Sequence, residues 1–474
     1  MFVAGAAEAG VDEYLVRHPW DGRPVRLVGN ATPEQVERAV AAAAGVAGEM
    51  AALPAYARAG ALDHVSRRLV ERADEVARLI TAENGKPLKW SRAEAARAAS
   101  TFRWAAEEAR RFAGELQRLD TDPGAAGRLA LVRRVPRGPV LGISPFNFPL
   151  NLVAHKVAPA LAVGAPILVK PAPATPLSAL LLGEILAETD LPAGAFSVLP
   201  MPNDRAPELV ADPRLPVVSF TGSGPVGAAI RAAVPHKHVT LELGGNAAAV
   251  VCGDWSGESD LDWAATRIAV FANYQAGQSC IAVQRVLVHE ALYEDMLERI
   301  VAKVAALRTG DPNDEATDVG PLISEAAAVR VVDWVDEAVA AGAKLHTGGT
   351  RDGATVAPAV LSGVPAEAKV YAEEVFGPVL VVAPVASDAA AFEAVNASAY
   401  GLQAGLFTHS LQTAFAAHRQ LDVGGLIVGD VPSYRADQMP YGGVKGSGVG
   451  REGLRSAMED YTEARVMVLT GIEQ

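Results

Sequence analysis

Cysteine is nearly absent from this chain: it has two, Cys252 and Cys280, in 474 residues. The two could pair in principle, but nothing else marks a disulfide-stapled secreted scaffold, so both are expected to be free thiols. Basic runs are also missing. No block of five or more Lys/Arg occurs, and a net charge of −13 with a pI near 5.3 leaves no basic face for nucleic acid or an anionic membrane. No uninterrupted apolar stretch reaches the ~18 residues of a membrane-spanning helix. Met1 is followed by Phe2-Val3-Ala4-Gly5, without the basic and apolar regions of a secretory leader. A cytoplasmic, reducing setting is the expectation, with no metal site.

Half of the residues are apolar, with only 6% aromatic, and the length exceeds what one core serves, so two or three domains are expected. The first hundred residues read as helices. Thr32-Pro33-Glu34-Gln35 is an N-cap with proline at N1, and a second helical run over 54–83 ends near Asn84-Gly85-Lys86-Pro87, with coil after it. Residues 140–250 alternate strands (Val140-Ile143, Ile167-Lys170, Ala195-Leu199, Val217-Phe220, Val239-Leu243) with helices over Leu177-Glu188 and Val226-Ala233. Such alternation builds parallel βαβ units. A second α/β region follows, with helices over Asp260-Ala276 and Ala326-Ala341. Leu129-Val135 reads as an arm strand outside the main sheet, suited to pairing with another subunit or with the β-prone strip Ala464-Leu469.

Three turns carry candidate chemistry. Gly277-Gln278-Ser279-Cys280 sets a cysteine in a glycine turn, the setting of a reactive thiol, although a lone intracellular cysteine is often only packed. Cys252, at the end of the apolar Val250-Val251, reads as packing. Glu242-Leu243-Gly244-Gly245-Asn246 offers a carboxylate at a strand end, and Ser144-Pro145-Phe146-Asn147-Phe148-Pro149 holds an amide in a proline-framed turn, where it can serve a developing oxyanion. Gly222-Ser223-Gly224-Pro225-Val226-Gly227 matches G-x-G-x-x-G, and on that motif alone Glu242 would be the acidic residue that holds a ribose.

These segments resemble the aldehyde dehydrogenase superfamily. The match also takes in Lys170-Pro171-Ala172, Phe220-Thr221-Gly222-Ser223, Glu373-Glu374-Val375-Phe376-Gly377-Pro378 and Pro440-Tyr441-Gly442-Gly443-Val444-Lys445-Gly446-Ser447-Gly448, and so covers roughly residues 20 to 470. The resemblance implies an α/β fold with a Rossmann-like parallel-sheet cofactor domain (1–116 and 138–243), a second α/β catalytic domain (244–442), and a small β oligomerisation arm with a C-terminal strand (117–137 and 443–474). It implies NAD(P)-dependent oxidation of an aldehyde and a homo-oligomer, dimer or tetramer. Cys280 would be the nucleophile that forms a thiohemiacetal and then a thioester. Glu242 would activate the hydrolytic water rather than hold a ribose, and Asn147 would donate to the oxyanion. Lys156 and Glu452 match a pair proposed to relay protons, with a structural salt bridge as the alternative. Ser144, Pro145, Phe146, Lys170, Gly222, Ser223, Glu374 and Phe376 would contact the cofactor.

Two departures bear on the cofactor. Pro173 stands where NAD-preferring members often carry a glutamate that repels a 2′-phosphate, leaving NAD or NADP open, and Met201-Pro202-Asn203 replaces a common glycine. Positions facing the substrate map to Asn151, Leu152, His155, Tyr274, Ser279, Ile281, Arg435 and Tyr441. His155 and Arg435 stand where aromatics are common. An arginine offers a bidentate fork to an anion, although a surface arginine paired with Asp437 reads equally well. A short polar or anionic aldehyde of the lactaldehyde, semialdehyde or phosphonoacetaldehyde kind is the expectation. The alternatives are a CoA-acylating enzyme, which characteristically lacks the Glu242-type base, and a catalytically silent homologue.

Overall fold

A computed structural model describes residues 1–472. Two sheets organise it, each built on parallel strands. The first has eight strands in the order Ala6–Ala7, Phe2–Val3, Phe196–Val198, Ile167–Lys170, Val140–Ile143, Val217–Thr221, His238–Glu242, Gly448–Val449, and its five central strands are parallel. Every residue of Val140–Ile143 and Ile167–Lys170 is buried, which is why both read as continuous apolar runs rather than alternating ones. Its parallel part begins at Val140–Ile143, winds outward through Phe196–Val198, then returns to the other side at Val217–Thr221. That reversal opens a crevice beyond the carboxyl ends of the two strands, and Ser144 and Gly222 follow those ends.

The second sheet has seven strands, in the order Lys344–Thr347, Ala359–Ser362, Val379–Val385, Arg285–His289, Ala248–Val251, Gln403–Phe407, Gly425–Val428. All are parallel except the first pair. A separate antiparallel sheet joins Thr462–Thr470, Arg128–Pro136 and Glu115–Arg118, in register from Thr462 opposite Pro136 to Thr470 opposite Arg128. The arm strand thus finds the C-terminal strip within its own chain. Val466, Met467 and Val468 remain exposed on it, as does Leu116.

The N-terminal hundred residues differ from the all-helical expectation. Phe2–Val3 and Ala6–Ala7 extend the first sheet, and Val11–Arg17 pairs with Pro24–Asn30 as an antiparallel hairpin. The helical run over 54–83 breaks at Arg72 into Ala55–Glu71 and Ala73–Asn84, the latter capped by Gly85 at φ +78°. Where coil was expected, Leu88–Arg111 is a 24-residue helix. Half of its buried stripe is alanine, gathered around Phe102 and small enough to pack closely against Ala55–Glu71, and its other face is charged. Thr32 does cap Pro33–Ala52, exchanging two hydrogen bonds with Gln35. No single described helix is long and apolar enough to cross a membrane.

Candidate active site

A cavity of about 1030 Å³ is lined from both sheets, by the ends of Val140–Ile143 and Val217–Thr221 on one side and by Gly244, Cys280 and Glu374 on the other. Cys280 reaches it through an unusual turn. The expected helix over 260–276 runs as Glu258–Asn273 and then stops, because Gln275 (φ 53°), Ala276 (φ 54°) and Gly277 (φ 71°) are all left-handed. For two residues bearing Cβ atoms this is stored strain, held by surrounding structure. Gly277 is required twice over, since a Cβ there would lie 2.1 Å from the Gly377 carbonyl oxygen.

The Cys280 sulfur lies 3.0 Å from the Tyr441 hydroxyl. Burial pushes its thiol up to about 12, with the hydrogen bond to Tyr441 pulling the other way and the charges of Glu374 and Glu242 adding to the rise. Asn147 Nδ2 donates to the Gln278 carbonyl at 3.0 Å, which ties the amide to the turn two residues before the sulfur. The Cys280 backbone N–H has no acceptor among the described residues. Ser279 accepts from the Tyr274 hydroxyl at 2.6 Å, and Ile281 follows in the wall.

Glu242 ends its strand opposite Gly448 and lines the same cavity. Both of its carboxylate oxygens are buried without a hydrogen-bond partner among the described residues. Burial, then the facing charge of Glu452, raise its carboxyl well above the usual range, while Arg435 and Lys156 pull it down. Glu452 is itself divided between two cations. Oε1 lies 3.1 Å from Lys156 Nζ and Oε2 3.1 Å from Arg435 Nη2. Against burial that would raise it, Lys156 and Arg435 hold this carboxylate low. Lys156 also donates to Thr221 at 2.7 Å and Ser219 at 3.2 Å.

At the other end, Lys170 Nζ donates to Asn203 Oδ1 at 2.7 Å, and burial lowers its ammonium to about 8. Pro173 and Asn203 line the wall beside it, so the Met201-Pro202-Asn203 departure supplies this lysine's partner, while Met201 turns inward. Gly222 and Ser223 lie at the start of helix Gly224–Ala233. Glu374 accepts from the Gly245 N–H at 2.9 Å, and burial pushes its carboxyl up to about 7. The rings of Phe146 and Phe376 meet edge to face, and Ser144 and Pro145 complete that side.

Two sequence expectations about the substrate wall need correction. His155 does not line the cavity: it is buried behind it, Nε2 3.2 Å from Asp437 Oδ1, and burial keeps its imidazole neutral, down to about 4. Nor is Arg435 a surface residue paired with Asp437. Its side chain is 6% exposed, its partner is Glu452, and Asp437 accepts instead from Arg97 at 2.9 Å. Asn151, Leu152, Tyr274 and Tyr441 do line the wall. Arg97 and Arg267 line it too, and sequence reading missed both. Arg267 is bound through two 2.7 Å hydrogen bonds to Asp430. Each arginine sits mid-helix, where nothing in its immediate sequence distinguishes it from a solvated one.

Comparison with known proteins fits this geometry. A model of the aldehyde dehydrogenase family matches residues 6–467. The chain is 41% identical over 470 residues to a 3-sulfolactaldehyde dehydrogenase of Priestia aryabhattai, covering 99% of this chain and 97% of the relative. Among solved structures it resembles aldehyde dehydrogenase 21 from Physcomitrella patens in complex with the reaction product succinate. There the TM-score is 0.97 and the identity 44%, covering 100% of this chain and 98% of the other. A glyceraldehyde-3-phosphate dehydrogenase from Methanocaldococcus jannaschii complexed with NADP matches with a TM-score of 0.92 and 32% identity, over 98% and 100% of the two chains.

Proposed function

The chain belongs to the aldehyde dehydrogenase family, and we propose that it oxidises short anionic aldehydes to carboxylates through the groups gathered in this cavity. Cys280 is the nucleophile in this reading: its sulfur bonds to the aldehyde carbon, and the oxygen that gains charge is held by the Cys280 N–H and the second amide hydrogen of Asn147. NAD or NADP, when bound, supplies the hydride acceptor. The acyl group left on sulfur is a thioester. Glu242, ionised and free of hydrogen-bond partners among the described residues, takes a proton from a water that attacks the thioester carbon, releasing the carboxylic acid and restoring the thiol. Lys156 and Glu452 stand behind Glu242 as its route for proton exchange.

The residues at the far end suit a dinucleotide. Among the described residues, Lys170 carries a buried charge answered only by a neutral amide, and Glu374 presents a carboxylate with one backbone donor, which leaves each able to hold a ribose hydroxyl. Residues 1–116 with 138–243 form the cofactor domain in this reading, 244–442 the catalytic domain, and 117–137 with 443–474 the arm. Exposed Val466, Met467, Val468 and Leu116 support a homo-oligomer, and the two free cysteines suit a cytoplasmic setting.

The observation that carries the substrate class is Arg435. It faces the cavity, and its Nε is buried with no partner among the described residues, so a fork position is left for an anion that enters beside Cys280. The relative named for 3-sulfolactaldehyde and the structure holding succinate support an anionic substrate. The test follows cofactor reduction at 340 nm with a panel of sulfonate, carboxylate and neutral short aldehydes, with NAD and NADP, with and without CoA. Anionic aldehydes should lead by kcat/KM without CoA. A preference for propanal would overturn the substrate class, and turnover only with CoA would overturn hydrolysis.

A further inference from the structure

Tyr441 stands apart from the rest of the substrate wall. It is buried, its hydroxyl has one partner among the described residues, and that partner is the Cys280 sulfur at 3.0 Å. The guanidinium of Arg435 lies over its ring, 3.8 Å from the centroid, and is held there by Glu452. Backbone geometry fixes the ring as well, because Tyr441 and Glu452 exchange N–H···O bonds in an isolated bridge. Of the ionisable groups that face the sulfur, Glu374 and Glu242 oppose a thiolate, while Tyr441 and Arg435 favour one, and Tyr274 stands behind Ser279.

We propose that Tyr441 is a catalytic residue for the thiolate of Cys280: its hydroxyl donates a hydrogen bond to the ionised sulfur, and Arg435 stacked on the ring strengthens that donor. The inference rests on the reading of Cys280 as nucleophile. While the sulfur is a thiol, either atom can donate. Once ionised, sulfur has only lone pairs, so the tyrosine must donate, and the bond then favours the charged form. A cation over an aromatic face draws electron density from the ring and its hydroxyl, which makes the O–H a better donor. No proton leaves the tyrosine. The thiol proton goes to solvent, and the hydroxyl stabilises what remains.

The test is the pH dependence of Cys280 alkylation by iodoacetamide, read by peptide mass spectrometry, in the full chain and in Tyr441→Phe. Cys252 is the internal buried control, and Cys280→Ala is assayed in parallel for aldehyde oxidation. The phenylalanine keeps the ring beneath Arg435. Its profile should move to higher pH by about one unit, which slows alkylation near pH 8 about tenfold. Superimposable profiles would overturn the proposal, since a tyrosine that only fills space would not move them. Retained activity in Cys280→Ala would instead overturn the nucleophile itself. Should Tyr441→Phe fail to fold, fluorotyrosine placed at 441 keeps the shape and raises the donor strength. The profile must then move to lower pH, and no movement counts against the proposal.

Discussion

Arg435 is bound to Glu452 rather than to solvent or to Asp437, with Nη2 3.1 Å from Oε2. One guanidinium thereby touches the charge that faces Glu242, the ring that touches Cys280, and the open cavity. Arg435→Gln should cost anionic aldehydes about 2 kcal/mol of transition-state binding, roughly thirtyfold in kcat/KM. Propanal should change much less. Steady-state kinetics on the two aldehydes decide it, and equal losses would leave Arg435 acting only through the Tyr441 ring and Glu452, not on the substrate's anion.

Glu242→Gln separates the two half-reactions. Its kcat should fall about 10²- to 10⁴-fold, while a burst of one reduced cofactor per active site persists in rapid mixing, because acylation does not need the carboxylate.

The titration of Glu242 has a definite sign. Its carboxyl is raised in the folded protein by burial and by Glu452, so activity should climb with pH along a limb well above the usual carboxylate range. Removing the Glu452 charge with Glu452→Gln should move that limb to lower pH, as a pH profile of kcat would report. Stability runs the opposite way. A group with a raised folded pKa contributes stability that is full below its unfolded value and lost as pH rises through the folded one. Glu242→Gln should therefore gain in Tm over the parent as the pH is made more alkaline, and a constant difference across pH would count against an ionising Glu242.

Lys170 provides a cofactor prediction. Burial brings its ammonium to about 8 with no carboxylate partner among the described residues. Calorimetric titration with 2′,5′-ADP should show affinity falling as pH rises through that region, and Lys170→Met should lose the 2′-phosphate contribution, about tenfold. Equal binding of 2′,5′-ADP and 5′-AMP by the parent would exclude a role in holding the phosphate.

Gly277→Ala should lower both Tm and the rate of Cys280 alkylation, through a backbone at φ +71° and a carbonyl 2.1 Å from the new methyl. The φ alone costs about 1 kcal/mol. Parent-like alkylation would show that the turn tolerates the change.

Local chemistry explains what could be read from the sequence. The parallel strands are continuous apolar runs with turn residues at their ends, so the first sheet and the places of Ser144, Gly222 and Glu242 were visible in the chain. Leu88–Arg111 was not, because its core stripe is alanine set among arginines and glutamates, which carries little hydrophobic signal until a partner helix packs on it. The hairpin of Val11–Arg17 and Pro24–Asn30 is largely exposed and so lacks apolar alternation. The positions of His155 and Arg97 depend on Asp437, which is 282 and 340 residues away from them, and no local pattern reports such a pairing. Asn203 was marked only as a departure, since its use to Lys170 arises from the fold.

The segment from Tyr441 to Glu452 is pinned at both ends to itself, and between them Gly448–Val449 lies along the strand that ends in Glu242. One loop of the chain therefore sets the surroundings of the sulfur and of the carboxylate together. In chimeras with relatives it should behave as a single cassette: grafted whole, it carries both settings into a new host, whereas a crossover inside it would leave one half-reaction tuned to a neighbour that is no longer there.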